Sequence, residues 1–180
     1  HPAFAKKQDG SFVYHALNEE DLGDVYALSD FDKTGTRELT AADYVYQIKR
    51  LAHPGLSSPI FGLMSEHIVG LGDYARVLRS ASKKAIRDNN DEPFLDLRLH
   101  PLEGVHVLSR YQYQIKIKGV YPQFLYWLSM PFFAPIPWEA DLFYAQPGMS
   151  AHNISWDWYP VGTGPYTLSE NDPNKQMVLS

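Results

Sequence analysis

The sequence has no cysteine in its 180 residues, which excludes disulfides, thiolate zinc sites and cysteine nucleophiles together. Cysteine usage leaves the compartment open, because an exported protein also folds without disulfides. A continuous run of about 20 apolar residues, the length a membrane-crossing helix needs, is lacking too. The most apolar stretch, 120–137, is interrupted by Pro122, Pro131 and Pro135. No leader pattern of basic segment, apolar run and small-residue cleavage site opens the chain. The chain starts at His1 and stops inside a strand-like segment at Leu179-Ser180, so both ends are expected to be cuts from a longer protein.

Positive charge is in short supply. The 16 Lys and Arg against 21 Asp and Glu leave a net charge of −5, whereas a nucleic-acid surface needs clustered cations to neutralise phosphates. The one basic cluster, Arg76, Arg79, Lys83, Lys84 and Arg87, is broken by small residues and followed by Asp88 and Asp91. It reads as a solvated helix face. Nucleic acid is not an expected partner.

Catalytic patterns are missing as well. The seven histidines, at 1, 15, 53, 67, 100, 106 and 152, never stand three or four apart, the spacing that puts two metal ligands on one helix face. The carboxylates at Glu19, Glu20, Asp21 and Asp24, and at Asp88 and Asp91, lie in polar surroundings where nothing raises a pKa toward working pH. Ser57, Ser58 and Ser65 with His67 have no Gly-x-Ser-x-Gly elbow. Gly162-Thr163-Gly164 precedes Pro165 and a strand, whereas a phosphate-binding glycine run opens a helix. The expectation is therefore a non-enzyme without metal or cofactor.

What the chain does hold is an ordinary globular balance, 44% hydrophobic and 21% charged, which argues for a folded core. Aromatics reach 14%, with 12 Tyr and 4 Trp, a surplus that often marks a wet interface. Residues 1–30 read as loop with short strand or helix pieces. Thr40 before Ala41-Ala42-Asp43 forms a capping box with Asp in place of Glu, and Tyr44, Val45, Ile48 and Leu51 give the following helix its apolar stripe. Lys49 and Arg50 suit that helix's negative end, and Pro54-Gly55 stops it. A second helix follows Ser57-Ser58-Pro59 through Phe61, Met64 and Ile68 to Gly70. A third runs from about Asp73 to Arg87 with Tyr74, Val77, Leu78 and Ala81 on one face, ahead of a turn at Asp88-Asn89-Asn90-Asp91.

From Val105 to Lys118 the period changes to two, which predicts an antiparallel hairpin turning near Ser109-Arg110, with Tyr111, Tyr113, Ile115 and Ile117 on one buried face and His106 on the wetter one. A short helix from Tyr121-Pro122 through Leu128, extended chain at 132–137, and a helix over 138–144 come next. Pro160 to Tyr166 is a glycine-proline turn feeding a strand at 166–168, then a turn at Asn171-Asp172-Pro173-Asn174 and a strand at 176–179. Helices and strands mix without a βαβ rhythm. The fold class is α+β, mixed helices with a mostly antiparallel sheet.

Three segments, in order, resemble the solute-binding proteins of peptide and nickel ABC importers, extracellular solute-binding family 5. The first is Arg37-Glu38-Leu39-Thr40-Ala41-Ala42-Asp43-Tyr44-Val45-Tyr46 and its basic end, followed by His53-Pro54 and Ser58-Pro59. The second spans 104–137, with Tyr121-Pro122-Gln123-Phe124-Leu125 and Pro135-Ile136-Pro137. The third is Pro160-Val161-Gly162-Thr163-Gly164-Pro165-Tyr166-Thr167-Leu168 and then Met177-Val178-Leu179. The chain departs from the pattern in a longer turn at 31–36 and in residues 1–30, which look like an extension or insertion.

The resemblance implies one lobe or subdomain of a periplasmic-binding-protein type II architecture. It divides the chain into the extension at 1–30, an accessory domain at 31–159 and a crossover strand pair at 160–180. It further implies a monomeric, periplasmic, non-catalytic component of an ABC importer, most often for oligopeptides or dipeptides, whose partners are a peptide-like solute and the permease's transmembrane subunits. Residues expected beside the ligand are Ser58, Ile60, Gly162, Thr163, Gly164 and Tyr166. Peptide-binding relatives often place a tyrosine where Ile60 stands, and isoleucine has no hydroxyl to donate. The glycines at 162 and 164 are expected to serve a positive φ or a close approach of chains. Trp156 and Trp158 are expected in core packing or at a lobe interface. The isolated chain is expected to fold but to bind peptide weakly or not at all. From the residues alone, two other classes stay open: an aromatic protein-interaction module and a small hydrolase.

Overall fold

The computed structural model describes residues 1–89, 93–172 and 174–180. Its regular elements in chain order are α1 (Glu19–Leu22), α2 (Ala41–Arg50), α3 (Phe61–His67), α4 (Leu71–Asn89), β1 (Val105–Ser109), β2 (Gln112–Ile115), α5 (Phe124–Trp127), α6 (Trp138–Tyr144), β3 (Leu168–Asp172) and β4 (Gln176–Leu179). The fold is α+β. Each of its two small sheets is an antiparallel hairpin, β1 with β2 and β3 with β4. The chain folds into two compact units: unit 1 is 1–39 with 138–180, and unit 2 is 40–137. These bounds differ from the divisions after residues 30 and 159 expected from sequence.

Unit 2 is built from helical periodicity. The capping box at Thr40 forms: the Asp43 carboxylate accepts the Thr40 amide at 2.8 Å and its hydroxyl at 3.3 Å. The amide of Ala41, one of the orphans every helix start carries, donates to the Arg110 carbonyl in the hairpin turn at 2.9 Å. Helix α2 lies on the β1–β2 hairpin, and α3 packs on α4. Ile48, Met64, Ile68, Leu71, Leu78 and Leu97 are almost wholly buried. The residues just after α3 extend the hairpin, with Val69 N–H donating to Lys116 O at 3.0 Å and Lys118 N–H to His67 O at 2.7 Å. Gly104 is required here. A Cβ at that position would run into the Val69 carbonyl oxygen well inside van der Waals contact.

Several sequence expectations shift in unit 2. Helix α4 begins at Leu71, and its buried stripe is Leu71, Tyr74, Ala75 and Leu78, while Val77 is 51% exposed. Starting the helix earlier rotates the stripe away from Val77, because i, i+3, i+4 and i+7 share a face. Asp88 and Asn89 belong to α4 rather than to a turn, and Asn90 and Asp91 lie outside the described residues. In the hairpin Val105 is buried, but Val107 and Tyr111 are exposed, and Tyr113, Ile115 and Ile117 are only half-buried. The pairing slips between Val107 and Ser109, while along 112–117 the period of two holds, each apolar residue more buried than its polar neighbours. Residues 131–133 form a 3-10 turn, so the extended chain starts at Ala134. Proline is at home in a first helical turn, where its missing N–H would be unsatisfied anyway.

Unit 1 has less regular structure and more aromatic contact. Helix α6 has the predicted bounds, and its Phe143 and Ala140 meet Ala3, Leu22, Phe31 and Met149 in the core. The segment 1–30 is loop with 3-10 turns at Pro2–Phe4 and Leu28–Asp30 and the single turn of α1. Strand β3 starts at Leu168 and runs to Asp172, so Asn171 and Asp172 pair with Met177 and Gln176 instead of turning. Pro173, inside the expected turn, lies outside the described residues.

Candidate functional site

In unit 2 the polar chemistry gathers where α2 ends. Pro54-Gly55 stops the helix, and the chain from His53 to Ile60 folds back in tight turns: Gly55 N–H donates to His53 Nδ1 at 3.1 Å, Ser58 N–H to Leu56 O at 2.9 Å and Phe61 N–H to Ser58 O at 3.2 Å. Between this loop and the helix lie two adjoining hollows. One, of about 180 Å³, is lined by Leu51, His53, Ser58, Phe61 and Arg79 among others. The other, of about 230 Å³, is lined by Gln47, Arg50, Leu51, Leu56, Ser57, Ser58 and Phe132.

Of the positions expected beside a ligand, Ser58 lines both hollows, and its hydroxyl is buried without a hydrogen-bond partner. Ile60 is buried, 6% exposed, and contributes to the core. The other four belong to unit 1. Gly162, Thr163 and Gly164 are exposed, and Tyr166 is 67% exposed. Neither glycine has a positive φ, and a Cβ added at either would meet nothing nearer than 4.0 Å, so the expected backbone reason for them does not hold. Trp156 packs on Tyr144, with ring centroids 4.9 Å apart, in the core of unit 1, and Trp158 is half-buried.

The sequence reading missed Gln47. It sits within the apolar stripe of α2 between Tyr44 and Ile48, and a polar residue in such a stripe was the available signal. It is 9% exposed. Its Nε2 donates to the Phe132 carbonyl at 2.7 Å, while its Oε1 is buried with no partner.

Elsewhere in unit 2, among the described residues, Lys49 and Asp96 are satisfied in place. Lys49 donates to Leu97 O at 3.1 Å and His100 O at 2.8 Å, and burial holds its ammonium below the ordinary lysine value. Asp96 accepts from Arg98 Nε at 2.9 Å and Nη2 at 2.7 Å, which keeps its carboxyl below the usual carboxylate range. Tyr74 is pushed up by burial.

Unit 1 offers a chain of hydrogen bonds instead of a hollow. His1 Nδ1 accepts the Ala3 amide at 3.1 Å, so Nε2 carries the proton and donates to the Tyr144 hydroxyl at 2.7 Å. That hydroxyl donates to Tyr159 O at 2.6 Å. Burial pushes Tyr144 up. Arg37 grips Glu139 with two bonds of 2.8 and 2.7 Å. These are fastenings of the fold. Among the described residues no three His, Asp or Glu side chains converge as metal ligands, and no helix is long and apolar enough to cross a membrane.

Two neutral oxygens without partners beside the apolar walls of Leu51, Leu56 and Phe132 make an arrangement that suits holding a molecule. No curated protein and no solved structure matches the chain. The family described as bacterial extracellular solute-binding proteins, family 5 Middle, does match, over residues 34–180. That span runs from the turn before α2 to the last strand and takes in all three segments whose resemblance was read from sequence. The chain belongs to the family 5 bacterial extracellular solute-binding proteins.

Proposed function

We propose that the chain serves in the periplasmic capture component of an ABC importer, that the solute is an oligopeptide or dipeptide, and that solute is handed unchanged to the permease's transmembrane subunits. The family match across 34–180 carries this reading. Peptide is favoured among solutes by the hollows beside α2, whose unpartnered Gln47 and Ser58 oxygens suit N–H donors, with Leu51, Leu56 and Phe132 as apolar walls. Within this reading the solute-adjacent candidates are Ser58, Ile60, Gly162, Thr163, Gly164 and Tyr166. The exposure of the 162–166 turn leaves it accessible to a solute, whereas Ile60, buried in the core, would act only through packing.

The test is calorimetric titration of the whole gene product with peptides of two to five residues, and with sugars and nickel chelates as competitors. Saturable peptide binding without cleavage is expected. Preference for a sugar or chelate, or hydrolysis of the peptide, would overturn the reading.

A second reading has one observation in its favour. Val120, Leu125 and Tyr126 are 93%, 70% and 75% exposed on one stretch of unit 2, an apolar surface of the kind that meets protein partners. A stable dimer in size-exclusion chromatography, dispersed by Leu125→Ser, would promote it over solute capture as the role of this unit.

A further inference from the structure

Gln47 Oε1 and Ser58 Oγ are both buried without a partner, and both residues line the same hollow of about 230 Å³ in unit 2. Buried polar atoms are almost always satisfied, so two orphans at one hollow ask for an occupant that supplies their missing partners. The Phe132 carbonyl tells the nitrogen of the Gln47 amide from its oxygen. Its Nε2 donates to the Phe132 carbonyl at 2.7 Å, and that carbonyl can only accept, so the oxygen faces the other way. Neither oxygen is open to solvent, so engagement requires a side-chain rotation that brings them to the surface of the hollow.

The chemistry narrows the occupant. Gln47 Oε1 accepts only, so the occupant must present an N–H or O–H. Ser58 can donate as well as accept, so it can meet a carbonyl beside that donor. Arg50 lines the same hollow, and its positive charge disfavours an ammonium group there. Leu51, Leu56 and Phe132 give apolar walls for carbon flanking the polar atoms. One water takes about 30 Å³ of liquid, well under the volume available, while drug-sized pockets start near 300 Å³. The hollow fits a fragment.

We propose that this hollow is a subsite for one uncharged amide unit, its N–H donating to Gln47 Oε1 and its carbonyl accepting from the Ser58 hydroxyl. The inference deepens the peptide reading and rests on it for the natural ligand, a main-chain or side-chain amide of the solute. It assigns unit 2 a grip of its own.

The test is a ¹H–¹⁵N correlation titration of the 180-residue chain with three probes. N-acetylglycine N-methylamide represents a peptide unit, acetamide a side-chain amide, and N,N-dimethylacetamide has the carbonyl but no N–H. The expected result is saturable shifts at the Gln47 side-chain amide and the Ser57 and Ser58 backbone amides with one or both N–H probes. The better of the two identifies the source. Ser58→Ala, which removes no hydrogen bond of the fold, should weaken binding at least fivefold, as should Gln47→Leu. N,N-dimethylacetamide should bind at least fivefold more weakly than the better N–H probe.

Equal binding of N,N-dimethylacetamide, unchanged midpoints in Ser58→Ala, or no saturable shift with any probe would overturn the subsite. The last outcome would leave the hollow to water. Lost amide binding in a gene product that still captures peptide overturns the subsite alone. Amide binding in a gene product that captures no peptide overturns the peptide reading alone.

Discussion

Unit 2 and unit 1 are held together by different means. Unit 2 has the longer helices, Ala41–Arg50 and Leu71–Asn89, and its core is largely aliphatic: Ile48, Met64, Ile68, Leu71, Leu78. Unit 1 has only short helices and a hairpin, and its chain is fastened by polar side chains reaching far along the sequence. Gln146 accepts the Leu17 amide at 2.7 Å and donates to Tyr14 O at 2.9 Å, His152 bonds Val25 O at 2.6 Å, and His15 bonds Ala3 O at 2.8 Å. Where a loop cannot satisfy its own backbone groups, a buried side chain must do so. The difference teaches where each unit is vulnerable: unit 2 to lost volume, unit 1 to lost hydrogen bonds. Gly35 in unit 1 and Gly104 in unit 2 share one constraint, since a Cβ on either would collide with backbone.

The largest expected effect sharpens the contrast inside unit 2. Leu78→Ala should cost about 4 kcal/mol by leaving a cavity under α4, while Val77→Ala, one residue earlier and half exposed, should change stability by less than about 0.5 kcal/mol. Urea unfolding curves of the two variants check this, and equal losses would break the assigned helix face. Next, Arg37→Ala should destabilise unit 1 by about 2 kcal/mol, because Glu139, with its side chain 7% exposed, keeps a charge without its partner. Arg37→Met/Glu139→Leu should recover most of that loss in the same assay. If the single variant behaves like wild type, the pair is only a surface contact.

A smaller effect of about 1.5 kcal/mol is expected for Gln146→Leu, which keeps bulk but orphans Leu17 N–H and Tyr14 O. Hydrogen exchange should then speed at Leu17 and leave α4 unaffected. Faster exchange in both units would mean that they unfold as one body.

The smallest effect is on pH. Asp96 has its carboxyl held low in the folded state, chiefly by Arg98, so the unfolded chain binds the proton more readily as the medium turns acid. Its contribution is fully present above the ordinary aspartate value of 3.8 and is lost as pH falls through the lower folded value. Asp96→Asn should flatten the acid limb of unit 2 unfolding below that point, and an unchanged limb would remove Asp96 from the account.

Much of the fold was legible because its signals are local. The Thr40 cap, the Pro54-Gly55 stop, the 138–144 helix and both hairpins came from spacing, capping and turn residues. What failed depended on partners far away in sequence. Val77 was placed inside because a stripe was counted from Asp73, and only packing reveals that Leu71 begins it. The alternation held along 112–117, but it also placed Tyr111 inside, and at the hairpin turn that ring is exposed. The glycines at 162 and 164 invited a backbone explanation that their dihedrals do not support. At the candidate site Ser58 was expected only through the family resemblance, and Gln47 was hidden, since its significance lies in the Phe132 carbonyl 85 residues away.

The sequence by itself determined the α+β class, the family and the absence of the usual catalytic motifs, because these rest on composition and on short motifs in a fixed order. The tertiary structure alone decided which polar groups end up satisfied. Hydrogen-bond accounting is a property of the packed chain, in which each donor must meet an acceptor from another segment. That accounting closes at Arg37–Glu139 and Gln146 and stays open at Gln47 and Ser58.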